Sequence, residues 1–171
     1  MTKGGDQGGV YEAFDYAGHA LDQMPKRLRV QARQVYVYSR GHLLGVEGSL
    51  EAMRGPLGFM LDHARNPETG QFAHVLAPNG DILDGQADTY DHAFVLMSLA
   101  WAYKATGEEA LKTVAMQTLG FVKTTLAHPS GGCREAWPET GAMRRANPHM
   151  HLLEAAMAWM MRSISSPAAK S

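Results

Sequence analysis

Three short stretches hold the residues whose types and spacing could do chemistry. The first is Arg27-Leu28-Arg29-Val30-Gln31-Ala32-Arg33-Gln34-Val35-Tyr36, where Arg33 and Tyr36 stand three apart and so share a helical face. An arginine in an otherwise apolar helix is costly unless it is paired or looks into a cavity. Arg33 is therefore either a bridge between helices or a cavity-lining cation. The second stretch is Asp88-Thr89-Tyr90-Asp91-His92-Ala93-Phe94. Asp88 suits the N-cap of the helix that follows, which puts Tyr90 and His92 in its first turn and within reach of a cavity. The plainer accounts are a packed hydroxyl for Tyr90 and a satisfied core histidine for His92, and for His92 the plainer account is favoured. The third stretch is Asn147-Pro148-His149-Met150-His151-Leu152-Leu153-Glu154. Asn is a preferred N-cap and Pro a preferred first helical residue, so a helix is expected from Pro148 to Arg162 with Asn147 as its cap. His151 then lies one turn after Asn147 on the same face, with Glu154 three residues further on. An imidazole there can move a proton or hydrogen-bond a substrate oxygen. His149 and His151, two apart, point in different directions, and no third ligand matches them, so no metal site is expected.

These residues need a scaffold, and an internal repeat supplies one. Gly45 and Gly107, Leu57-Gly58-Phe59 and Leu119-Gly120-Phe121, Pro67 and Pro129, and Gly70 and Gly132 are all separated by 62 positions. So are the stretches beginning at Gly18 and Gly80. Each unit opens on glycine and an aromatic, passes through a turn, and runs through a long apolar segment to a second amphipathic one. Pro78-Asn79-Gly80 is a strong hairpin signal. Ala93 to Tyr103 is apolar nearly all round, as a buried helix is. Glu108 to Leu126 carries Leu111, Val114, Ala115, Thr118, Leu119 and Val122 at helical spacing, with Lys112 and Lys123 outside the stripe. Val30 to Tyr38 nearly alternates and could be a strand, but the repeat aligns it with the buried helix, so it is read as helix.

Alternating inner and outer helices joined by short β-hairpin loops describe an all-α chain, a partial (α/α)6 barrel or toroid of about half a ring. The repeats fall at about 9–69, 70–131 and 132–162, after a flexible N-terminus at 1–8 and before a loose tail at 163–171. Such units need neighbours to bury their faces. With two units and part of a third, the ring is expected to be incomplete. The hairpins and the N-termini of the inner helices should gather at one end, where a pocket would form.

The composition excludes several classes. Among 171 residues, 45% are hydrophobic and 19% charged, with a net charge of −1, so neither a nucleic-acid footprint nor a basic membrane patch is expected. Cys133 is the single cysteine and has no internal partner for a disulfide, which fits a reducing compartment. No apolar run approaches the roughly 18 residues of a membrane span. The polar start lacks a secretory apolar stretch, so a cytoplasmic protein is expected.

The three stretches, in this order and spacing, resemble the N-acylglucosamine 2-epimerase superfamily, including its mannose isomerase-like and mannose-6-phosphate isomerase-like branch, over about Gly8 to Met161. The resemblance implies an (α/α)6 barrel, no cofactor, and a small-molecule sugar substrate. It also implies aldose–ketose isomerisation or 2-epimerisation by proton transfer at C2. It assigns Arg33, Tyr90, Asn147 and His151 to binding the sugar or stabilising its intermediate, with Tyr36, His92 and Glu154 as further candidates. The family's principal acid/base histidines lie in later repeats, so His151 is left in a supporting catalytic role. The chain is accordingly expected to be the N-terminal part of an enzyme, impaired alone, and either self-associating or completed by a second chain. A non-catalytic carbohydrate-binding remnant is one alternative. Another is a different α/α-toroid enzyme such as a glycoside hydrolase, but that needs a catalytic carboxylate pair, and Asp88 and Asp91 read better as helix-start residues.

Overall fold

A computed structural model of the chain describes residues 8–139, 141 and 143–161. Except for Gly8, the expected flexible N-terminus lies outside the described residues. So do the expected loose tail and Arg162.

Among the described residues, three inner helices alternate with two outer ones: α1 (Leu28–Leu43), α2 (Ser49–Phe59), α3 (Thr89–Thr106), α4 (Glu109–Phe121) and α5 (Ala146–Met160). Helix α3 packs between α1 and α5, with α2 outside α1 and α4 outside α3. Its sequence explains that central place, because every residue from Asp91 to Ala102 is buried. Asp88 caps α3 as expected, accepting a hydrogen bond from the Asp91 backbone N–H at 3.0 Å. Gly107, with φ of 73°, ends it. The near-alternating stretch Val30 to Tyr38 lies within α1 and buries Ala32 and Val35. The first two helical pairs meet in one core that includes Leu28, Val35, Met53, Phe59, Leu99 and Leu126.

The 62-residue spacing has direct structural counterparts. Helices α2 and α4 both finish in a wide π-type turn, at Met60–Ala64 and Val122–Leu126. Phe14 bridges Ala20, and 62 residues later Leu76 pairs with Ile82. The second of these pairs belongs to the hairpin of β2 (Val75–Leu76) and β3 (Ile82–Asp84), which turns at Asn79-Gly80. Helices α1 and α3 are each entered through a short strand that pairs with the next unit. Strand β1 (Lys26–Arg27) joins β2, and β4 (Ala87–Asp88) joins β5 (Ala136–Trp137). These pairings stitch the units together at the end that carries the inner-helix N-termini.

Two expectations need correction. Helix α5 begins at Ala146 with Arg145 as its N-cap, so Asn147 lies inside the first turn and does not cap it. The half-buried Glu135–Arg145 pair sets this start, because Glu135 accepts both the Arg145 backbone N–H and its Nε, the latter at 2.8 Å. Leu119 does not join the buried stripe of α4 but is 39% exposed, while Leu111, Val114, Ala115, Thr118 and Val122 are buried.

Candidate functional site

The three N-caps, Arg27, Asp88 and Arg145, bring the inner helices into register. The residues four positions after them are Gln31, His92 and His149, and all three fasten a loop. Gln31 Oε1 accepts the Val10 N–H at 2.8 Å, and its Nε2 donates to Val10 O at 3.1 Å. His92 Nε2 accepts the Phe72 N–H at 3.1 Å while Nδ1 donates to Asp88 O at 2.7 Å. His149 repeats the pattern with the Cys133 N–H at 2.9 Å and Arg145 O at 3.1 Å. His92 is fully buried, both ring nitrogens are committed, and burial lowers its pKa to about 4. The suggestion that it reaches the cavity is therefore corrected. It is a neutral structural histidine with a π-stacked neighbour in Phe121.

Positions two and six after the caps gather on one side of the inner-helix N-termini and form the candidate wall. They are Arg29, Tyr90 and Asn147 in the first row and Arg33, Phe94 and His151 in the second. The structure brings most of them together. Arg33 Cζ lies 5.1 Å over the Phe94 ring. His151 packs against Phe94 at 4.6 Å and edge-on to Tyr90 at 4.9 Å between ring centroids. Glu154 Oε2 is 2.7 Å from His151 Nδ1, which orients the imidazole and leaves Nε2 without a partner among the described residues. Asn147 is exposed in the first turn of α5, one turn before His151. Tyr36 sits deeper, its ring 6.0 Å from Trp101. As expected from their spacing, His149 and His151 diverge, one towards a loop and the other towards Tyr90 and Phe94 of α3.

Sequence reasoning missed a charged network beside this wall. Asp91, buried in the first turn of α3, has Oδ1 at 3.0 Å from Arg29 Nε and Oδ2 at 2.6 Å from His74 Nδ1. Arg29 Nη2 lies 3.3 Å from His74 Nε2, and its Cζ stands 5.4 Å over the Tyr90 ring. Burial pushes the Asp91 carboxyl up, opposed by the His74 hydrogen bond and by Arg29. The bond to Asp91 raises the pKa of His74. His74, Asp88 and Asp91 bring one ligand atom each within 4.8 Å of one another, the spacing of a possible metal site. The Arg29 guanidinium supplies the positive charge that faces Asp91 there.

Inner and outer helices in alternation, with polar side chains gathered at the inner-helix N-termini, define the class of α/α toroids. The chain belongs to the N-acylglucosamine 2-epimerase (GlcNAc 2-epimerase) family, which it matches over residues 9–164. It is 29% identical over 156 residues to the D-mannose isomerase of Thermobifida fusca, covering 85% of this chain and 37% of that one. It is also 29% identical over 157 residues to the mannose-6-phosphate isomerase of Rhizobium meliloti (strain 1021), covering 90% and 40%. The structure of the cellobiose 2-epimerase from Spirochaeta thermophila superposes with a TM-score of 0.85 at 24% identity, over 97% of this chain and 45% of that one. The chain thus spans less than half the length of these relatives. No described helix is long and apolar enough to cross a membrane.

Proposed function

We propose that this chain forms the substrate-holding wall of a sugar isomerase or 2-epimerase that works by proton transfer at C2. The observation that carries this reading is the contact set joining Arg33, Phe94, His151 and Tyr90 across three successive inner helices. Removing a proton from C2 of an aldose or ketose spreads negative charge onto the neighbouring oxygens. A fixed cation and hydrogen-bond donors placed beside those oxygens lower the barrier. In this reading Arg33 offsets the charge, Asn147 and His151 hold the oxygens, and Glu154 fixes the imidazole's orientation. Tyr90 closes the side of the cleft and Tyr36 supports its floor. The family, and relatives named for mannose and mannose 6-phosphate isomerisation, support the substrate class.

Proton abstraction also needs a base within reach of C2. Asp91 is committed to Arg29 and His74, and Asp88 caps α3, so neither stands free as that base or as half of a hydrolase's carboxylate pair. His151, whose Nε2 has no partner among the described residues, holds a substrate oxygen in this reading, so the isolated chain is expected to bind sugar and to show no substantial mannose–fructose interconversion. Titration with mannose and mannose 6-phosphate, followed by NMR, tests the binding, and a fructose assay tests the turnover. Arg33→Ala and His151→Ala should each abolish the ligand-induced shifts. Robust turnover by the purified chain, lost on His151→Ala, would overturn the division of labour proposed here.

A further inference from the structure

Arg29 stands outside the residues to which the sequence points, yet it is the most tightly held guanidinium at the cleft. Nε faces Asp91 Oδ1 at 3.0 Å and Nη2 faces His74 Nε2 at 3.3 Å, while Nη1 has no hydrogen-bond partner among the described residues. Asp91 is fixed in turn. Its backbone N–H donates to Asp88, and its Oδ2 takes the His74 Nδ1 hydrogen. The Asp91 side chain is 1% exposed, so its charge would be expensive to leave unpaired, whereas that of Arg29 is 27% exposed and reaches solvent. One His74 tautomer makes both bonds: Nδ1–H donates to Asp91, and Nε2 accepts from Arg29 Nη2.

We propose that Arg29 is a further sugar-contacting residue at the rim of the cleft, and that Asp91 and His74 are positioning residues that hold its guanidinium over Tyr90. The proposal rests on the reading of this wall as a sugar site. Arg29 occupies the same helical position as Tyr90 and Asn147, so all three inner helices contribute to one rim. With Nε in an ion pair with Asp91 and Nη2 bonded to His74, the remaining edge of the guanidinium is directed by both contacts and only donates. It suits hydroxyl or ring oxygens that accept, and it loses little entropy on binding them. Lysine in its place keeps the charge but cannot span Asp91 and His74 together.

The test uses the full chain, with Arg29→Lys and His74→Gln compared with Arg33→Ala and His151→Ala. Mannose and mannose 6-phosphate are the probes. NMR reads both sugar affinity and the exchange of the Arg29 Nε hydrogen, and thermal denaturation checks that each variant folds. Arg29→Lys should weaken binding about tenfold, the size of one lost charge-assisted hydrogen bond. His74→Gln, at the hairpin and away from the sugar, should weaken binding less while speeding exchange at Arg29 Nε with little change in Tm. Unchanged Arg29 Nε exchange in His74→Gln would overturn the positioning role. Unchanged affinity in Arg29→Lys, with Arg33→Ala and His151→Ala impaired, would overturn the contact and leave the site reading standing. No sugar binding by the wild-type chain, or none lost in Arg33→Ala and His151→Ala, would overturn the site reading and the Arg29 contact with it.

Discussion

Arg33 lies directly over Phe94, its guanidinium carbon 5.1 Å from the ring centroid, and the two occupy the same position in successive inner helices. The relation recurs along the seam. Arg29 stands 5.4 Å over Tyr90 and Arg40 4.3 Å over Trp101, each pair 61 positions apart. The cations of α1 and the aromatics of α3 thus form a three-rung ladder that joins neighbouring units. Contacts of this kind contribute about 0.5–1 kcal/mol where partly solvated. A double-mutant cycle of Arg33→Met with Phe94→Leu should show a coupling of about that size by urea denaturation. Phe94→Leu should also weaken mannose binding, since it removes the surface against which both Arg33 and His151 are set. Additive stabilities would show that the ladder is geometry without energy.

The buried histidine gives a pH signature. The folded-state pKa of His92 is lowered from 6.5 to about 4, so the unfolded chain binds the proton more readily. Above pH 6.5 the group is neutral in both states and costs nothing. As pH falls from 6.5 towards 4, stability drops, by up to about 3 kcal/mol from this group alone. Urea midpoints measured from pH 7.5 to 4.5 should decline, and His92→Gln should flatten the decline while lowering stability at neutral pH. An equally steep decline in the variant would assign the acid sensitivity to other groups.

Two glycines of the repeat separate conformational need from close packing. Gly70 has φ of 79°, and a Cβ there would come within 2.6 Å of the Gln117 backbone in α4. Gly107 has φ of 73° with open space around it. Alanine at Gly107 should cost about 1–2 kcal/mol for the left-handed backbone alone. Gly70→Ala should cost more, because a hairpin loop and an outer helix must also move apart. Equal losses in Tm would mean that the loop yields freely.

Much of this architecture was legible because the repeat falls on residues with little conformational choice. Gly45 and Gly107 end inner helices, Leu-Gly-Phe recurs where α2 and α4 pass into π-type turns, and Asn79-Gly80 turns a hairpin. Two features of the site were hidden for physical reasons. The hairpins repeat at 62 residues but the N-caps Arg27 and Asp88 at 61, a slip of one that gives Arg29 the helical position of Tyr90 rather than that of Asp91. The slip conceals the common rim. The Asp91–His74–Arg29 network joins two helices and a hairpin, and no local spacing announces such contacts. The Asn147 cap failed for a similar reason, since Glu135 in the strand region anchors Arg145 and starts α5 two residues early.

The outer side of α5 has no covering helix among the described residues, and its chemistry is apolar. A groove of about 440 Å³ between α4 and α5 is lined by Leu96, Met116, Leu119, Leu152, Ala156 and Trp159. Trp159 is anchored by its indole N–H to Leu96 O at 3.0 Å, which keeps the groove open and shaped. Met116 is 62% exposed, and Leu153 and Met157 on α5 are 63% and 53% exposed. Contiguous apolar surface of this kind binds hydrophobic dyes and promotes association. The chain should therefore enhance the fluorescence of an anilinonaphthalene sulfonate dye at neutral pH, with energy transfer from Trp159. It should also elute at larger apparent mass as its concentration rises. Met116→Glu with Leu119→Lys should reduce both effects while leaving unfolding stability within about 1 kcal/mol of the parent, because these positions are largely solvent-facing. A monomer that binds no dye at any concentration would show that the groove is closed in solution.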